Sequence, residues 1–305
     1  MPAEAIHFTA LEDTMLALPI SVRRRMACPE MIAATRLGTM FVDLPYFESI
    51  GMSLVCHALA INRRPHPQPW GDWFHQRAPI EVGIRIGEQG VKLARRSDTR
   101  NAGERLIAMS LGYMCHAAID AALHPMVNEL AVERAERLGE HPLRQHREIE
   151  KYQSVLFHEE RHHWDYLGTP MLKILIALDP SPLWSPGPLC DGVQHALTDS
   201  LGEAPSPYSF RKWGSGYERY VALISGPIGR WAISKTDKER EQPALYTTPG
   251  FPERYNQALS QSIRWVRLLA DHLLHGEQCS HSRAALLREI PEQSIDPPFE
   301  RSEHR

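Results

Sequence analysis

His116, Asp120 and His124 follow one another at four-residue intervals inside "GYMCHAAIDAALHPMVN", residues 112–128, an otherwise apolar stretch. On a helix each such step turns the chain by about 400°, so the three side chains fan over about 80° of one face. They form a polar stripe where a core stripe is expected. His146 and Glu150 repeat the spacing in "HREIE". Imidazole nitrogen and carboxylate oxygen suit zinc, and i, i+4 placement lets two side chains converge on one ion. Two such helices side by side supply five ligands, more than one zinc takes from protein. The pattern therefore points to a cluster in which a carboxylate such as Asp120 bridges two ions.

The neighbours sharpen this reading. His116 and Asp120 are flanked by Met114, Cys115, Ala117, Ala118, Ile119, Ala121 and Ala122, residues that packing should bury. A buried aspartate is costly unless it is paired or bound to a cation. "RQHREIEK" on its own suits a solvated charged face equally well. A competing pattern, "FHEERHHW", matches H-E-x-x-H with His158, Glu159 and His162, the arrangement in which a metalloprotease uses its Glu as general base. Charged Glu160 and Arg161 between Glu159 and His162 count against it.

Helices must position these residues. Apolar periodicity predicts helices over 4–18, 29–38, 75–97, 103–138 and 142–167, with a loop at "NRRPHPQPWGDW" between the second and third. Two closing helices are expected at "GYERYVALISGPIGRWAISK" and "PERYNQALSQSIRWVRLLADHLLHG". Alternating β-branched runs are scarce, so the class is all-α, built as one multi-helix domain over residues 1–275. The Pro/Gly/Ser-rich stretch around 179–216, clearest in "DPSPLWSPGPLCDG", reads as an irregular excursion, and the polar residues 276–305 read as a flexible tail.

Composition narrows the classes. A net charge of −3 over 305 residues excludes the basic footprint of a dedicated duplex-DNA binder. Five cysteines with no CxxC pair argue against a disulfide framework and against a thiolate zinc site. The N-terminal charge order is wrong for a secretory signal and no 18-residue apolar run stands out, so the chain is expected to be cytoplasmic and without a transmembrane segment. Sixteen histidines are the outlier, and histidine is the commonest metal ligand.

Taken together, these segments resemble the zinc-dependent phospholipase C family, an all-helical fold shared with fungal single-strand nucleases. "LGYMCHAAIDAALHP" is similar to its H-x-x-x-D-x-x-x-H-P signature. "LGTMFVDLPYF" resembles its early LG…PD…F segment, with Val42 in the place of the usual proline and Asp43 keeping the carboxylate. "EAIHFTALEDTM" resembles its N-terminal THY segment, with Phe8 in the aromatic place. The similarity runs in order over roughly residues 5–155, and 160–245 lies outside it.

The resemblance implies a first zinc held by Asp43, His116, Asp120 and a histidine from the helix after the loop, for which His75 fits better than His57. It implies a second held by His124, His146 and Glu150, and a third that Asp120 bridges and His7 joins. Secreted members ligate the third metal through an N-terminal tryptophan. Here no such Trp exists, and the amine of Pro2, freed by methionine removal, is the available substitute, so two or three zinc ions are expected. Bound zinc lowers the pKa of water from 15.7 to about 7, and Asp43 would accept the nucleophile's proton. Arg85, Lys92 and Arg95 are candidate phosphate partners. The implied activity is phosphodiester hydrolysis of phospholipase C type on a small phosphoester or phospholipid. The alternatives are a single-strand nuclease-like enzyme, a metal-binding helical protein without catalysis, and the protease at His158.

Overall fold

Proline opens helix after helix in this chain, and that habit decides much of the architecture. The computed structural model describes residues 4–49, 69–231, 233–246, 250–275 and 283–296. Among the described residues there are thirteen α-helices and no strand, in agreement with the all-α expectation. They are α1 (Glu4–Ala17), α2 (Ile20–Arg25), α3 (Pro29–Phe41), α4 (Pro69–Gln76), α5 (Pro79–Ala94), α6 (Arg100–Leu138) and α7 (Pro142–His162). The remainder are α8 (Pro170–Leu175), α9 (Pro188–Leu201), α10 (Pro207–Ile224), α11 (Lys235–Tyr246), α12 (Phe251–His275) and α13 (Arg283–Glu289). A 3-10 turn, Leu44–Phe47, follows α3.

Two regions correct the sequence reading. The expected irregular excursion around 179–216 contains α9 and most of α10, whose Pro188 and Pro207 sit in the first helical turn. There the missing N–H is no loss and the fixed φ is already helical, so prolines that look like loop markers are helix starts. Pro79 likewise divides the expected 75–97 helix into α4 and α5. The expected flexible tail is the second correction, over 283–296. This segment forms α13 and then a stretch with Ile290 and Ile295 fully buried, tied down by main-chain bonds that composition does not reveal.

The axis of the fold is α6, 39 residues and about 58 Å long. It packs against α1, α3, α5, α7, α9 and α12. Contrary to the reading of the sequence, α6 carries an 18-residue window of mean hydropathy 1.5, long and apolar enough by composition to cross a membrane. Because 89% of that window is buried inside the protein, core packing accounts for it. One continuous apolar core runs from Ala5 to Ile295.

Close helix approach sets where the site residues fall. A Cβ on Gly38 would lie 1.8 Å from the Met109 carbonyl oxygen, and one on Gly112 would lie 1.9 Å from that of Thr35. Helices α3 and α6 thus touch backbone to backbone, and the Thr39 hydroxyl donates across the crossing to the Gly112 carbonyl at 3.2 Å. His116 follows Gly112 by one turn, and Asp43 lies just beyond the end of α3. A buried polar knot fixes α1 against α6 and α12: Thr14 Oγ1 lies 2.9 Å from Ser262 Oγ, which donates to Cys115 Sγ at 3.2 Å.

The crossing makes a stability prediction. Gly112→Ala should force α3 and α6 apart and cost about 1–3 kcal/mol in urea unfolding. Gly187→Ala, whose added Cβ meets nothing within 4 Å, should leave the midpoint unchanged. Equal midpoints for the two variants would show that the backbone contact is not limiting.

Candidate metal centre

Five elements deliver the eight residues singled out in the sequence to one place. Helix α1 contributes His7, the α3 end Asp43, α4 His75, α6 His116, Asp120 and His124, and α7 His146 and Glu150. Asp120 stands at the centre, 3% exposed. Its Oδ1 lies 3.2 Å from His7 Nε2 and 3.6 Å from His124 Nε2, while Oδ2 lies 2.8 Å from His116 Nε2 and 3.6 Å from His75 Nε2. Asp43 Oδ1 is 3.4 Å from His75 Nε2. On the far side, Glu150 Oε1 lies 3.3 Å from His124 Nε2 and 3.2 Å from His146 Nε2.

Three groups have ligand atoms close enough to share an ion: His75, His116 and Asp120; His124, His146 and Glu150; and His7, Asp43 and His116. The second matches the set that the resemblance implies, and the first matches it without Asp43. The third differs by bringing Asp43 beside His7. Pro2 and His57 lie outside the described residues.

Orphaned nitrogens provide the test of fit for a metal. Both ring nitrogens of His116 are buried without a hydrogen-bond partner, although Nε2 lies 2.8 Å from Asp120: the pair is close but misaligned for a hydrogen bond. A buried polar atom without a partner is costly, and a cation between the two resolves it. The His7 ring stacks on His116 at 4.0 Å with 17° between planes, and its Nδ1 is also unpartnered.

The other imidazoles are oriented from behind. His75 Nδ1 lies 2.7 Å from the Gly71 carbonyl oxygen, His124 Nδ1 is 2.8 Å from that of Ile295, and His146 Nδ1 is 2.7 Å from Asn128 Oδ1. An acceptor at Nδ1 places the proton there and leaves the Nε2 lone pair for a metal. Sequence reasoning missed Asn128 and Ile295. The signal for Asn128 was present, because it continues the four-residue stripe of His116, Asp120 and His124. The Ile295 contact is made by main chain and left no signal.

Charge follows the geometry. Burial works against ionisation of Asp120, yet His116, His124 and His7 outweigh it and hold the carboxyl well below its usual range. Burial likewise opposes ionisation of Asp43, and His116 and His75 overcome it. For His124 burial disfavours the cation, but Asp120, Glu150 and Asp296 raise its pKa to about 10. His116 moves the other way, lowered by burial despite Asp120. Glu4, one turn before His7, is a buried carboxyl that the sequence did not flag. Burial pushes its pKa up to about 7, and it accepts from the Tyr220 hydroxyl at 3.4 Å.

Two sequence candidates are not part of the centre. His158 is fully buried, both ring nitrogens lack partners, and burial lowers its pKa to about 3. Glu159 is clamped by Lys238 at 2.9 Å and accepts the Tyr166 amide, so the protease geometry is not assembled. Among the described residues no third ligand-type side chain joins His158 and His162. Arg85 is held by Glu81 and Glu88 on its own helix.

No curated protein and no solved structure matches the chain. The family model for zinc dependent phospholipase C matches residues 6–178, more than half of the 305 residues, and that span holds all eight residues of the centre. The chain belongs to the zinc-dependent phospholipase C family.

Proposed function

We propose that the protein is a zinc-dependent phosphodiesterase of phospholipase C type, acting on a small phosphoester or phospholipid headgroup. The observation that carries the reading is the convergence of four imidazole Nε2 atoms on the one buried carboxylate of Asp120. His75, His116 and Asp120 would hold one zinc and His124, His146 and Glu150 a second, with His7 and Asp43 beside them for a third. When bound, zinc neutralises charge building on phosphoryl oxygens and makes water a nucleophile near neutral pH.

The protein's own groups do the rest. His116, its pKa lowered by burial, stays neutral and keeps a lone pair to offer. The Asp43 side chain, 17% exposed, is the most open of the eight and stays ionised, which suits it to accept a proton from an attacking water. Both oxygens of Asp120 are engaged on all sides, so this carboxylate organises the centre and does not exchange protons.

Metal content and turnover test the proposal together. Two or three zinc ions per chain are expected, reduced in His116→Ala and in His146→Ala. Hydrolysis of bis-p-nitrophenyl phosphate should fall about 10²–10⁴-fold in Asp43→Asn if Asp43 takes the proton. Glu159→Gln should change neither quantity. Turnover of short-chain phosphatidylcholine in preference to a single-stranded oligonucleotide separates the lipase reading from the nuclease reading. Stoichiometric zinc with no turnover of any of the three would leave a metal-binding protein without this catalysis.

The titration of His124 predicts opposite pH trends for the metal and for the metal-free fold. Its pKa rises from 6.5 to about 10 in the folded chain, so this stabilisation is fully present below pH 6.5 and is lost as pH rises through about 10. His7 and His75 are raised as well, against burial, by Asp120 and Asp43. Melting of chelator-treated protein should therefore drop across pH 6.5 to about 10, while zinc affinity climbs as these histidines give up protons. Calorimetry in buffers of different ionisation enthalpy should register proton release on zinc binding. No release at pH 7 would mean that these ligands are already deprotonated.

A further inference from the structure

We propose that residues 290–296 are a strap that positions two ligands of the metal centre, so that zinc at His124, His146 and Glu150 is held tightly only when this segment is docked. The inference rests on the metal-centre reading above and concerns residues outside the matched family span of 6–178.

Ile295 joins the two ligands through its main chain. Its N–H donates to the His75 carbonyl at 2.9 Å, and its own carbonyl lies 2.8 Å from His124 Nδ1. Asp296 Oδ1 adds a carboxylate 3.6 Å from the same ring nitrogen. One residue thus fixes the backbone at one ligand and the ring orientation of another: the Ile295 carbonyl accepts from His124 Nδ1–H, which aims Nε2 at Glu150.

The segment is anchored on both sides of this contact. The Glu292 carboxylate accepts the amides of Ile80 and Glu81 at 3.1 and 2.7 Å, covering free N–H groups at the start of α5, just after the His75 helix. Ser294 Oγ donates to the His75 carbonyl at 3.4 Å. Ile290 and Ile295 are fully buried, and upstream Arg283 pairs with Glu81 and Glu88. Helix α5 and the two ligand helices α4 and α6 therefore share one C-terminal clamp. Ile295 and Glu292 act through the ligands and are positioning residues.

Four chains decide the matter: the full-length protein, a chain ending at Glu289, Ile295→Pro and Ile295→Val. Ile295→Pro removes the N–H that holds His75, whereas Ile295→Val keeps both main-chain bonds. Zinc per chain is counted by elemental analysis, affinity is measured by competition with a chromophoric chelator, and folding is followed by circular dichroism. Nitrogen NMR of the His124 ring in the zinc-loaded chains reports whether Nδ1 keeps the proton, a signature that loss of bulk packing alone would not move. The full-length chain and Ile295→Val should match. The shortened chain and Ile295→Pro should stay helical and bind one zinc about 10–100-fold more weakly, with the His124 tautomer no longer fixed. If the shortened chain does not fold, Ile295→Pro supplies the answer. Unchanged affinity and tautomer in a folded variant would overturn the strap and leave the metal centre standing. Absence of zinc from the full-length chain would overturn the metal centre, and the strap with it.

Discussion

A single buried carboxylate organises this protein. Asp120 sits in the central helix α6, 3% exposed, where an ionised side chain without compensation would cost several kcal/mol. Compensation comes from four imidazoles on three helices, each within 3.6 Å of one of its oxygens. To bring them there, the fold must place α1 and α4 around α6 with ångström tolerance. The glycine contact that seats α3 against α6 and the hydroxyl and thiol knot between α1, α6 and α12 serve that placement. Neither is part of the centre, yet each fixes the register of an element that supplies a ligand.

The imidazoles divide into two kinds. His75, His124 and His146 each have an acceptor behind the ring, so their orientation is set before any metal arrives. His7 and His116 have none, and instead stack on one another in the interior. The first kind is oriented by hydrogen bonds from behind, whereas the second is placed by packing and by Asp120 in front, and its Nδ1 atoms are left without partners. Those nitrogens are the strongest physical argument for cations in the centre.

Legibility in the sequence followed the kind of interaction involved. The i, i+4 stripe of His116, Asp120 and His124 was readable because helical geometry maps spacing directly onto a face, and the same rule extends to Asn128. Asp43, His75 and His7 were readable only through resemblance, since their approach to α6 depends on helix crossings that no local pattern encodes. Pro188 and Pro207 misled because a proline in the first turn of a helix and a proline in a loop look alike without the residues packed around them. The 283–296 segment misled for a different reason: its ties to His75 and His124 run through backbone atoms of Ile295, and main-chain bonds leave no trace in residue type.

The division between the matched span and the remainder bears on how the centre is kept closed. All eight ligand-type residues lie in the first half of the chain, as do α1, α3 and α5, which pack on α6, and α12 of the second half adds contacts of its own. Gln261 of α12 donates to the Ala118 carbonyl, midway between His116 and Asp120, and Ser262 joins Thr14 and Cys115 in the knot that seats α1. Pro125, inside α6, takes one amide out of the helical ladder beside His124, whose ring Ile295 contacts. Of these contacts, the one from Ile295 to His124 falls beside the interrupted turn, and those at Cys115 and Ala118 lie about two turns earlier. A chain reduced to the matched span would keep all eight side chains of the centre and lose the contacts that Ile295, Gln261 and Ser262 make behind them.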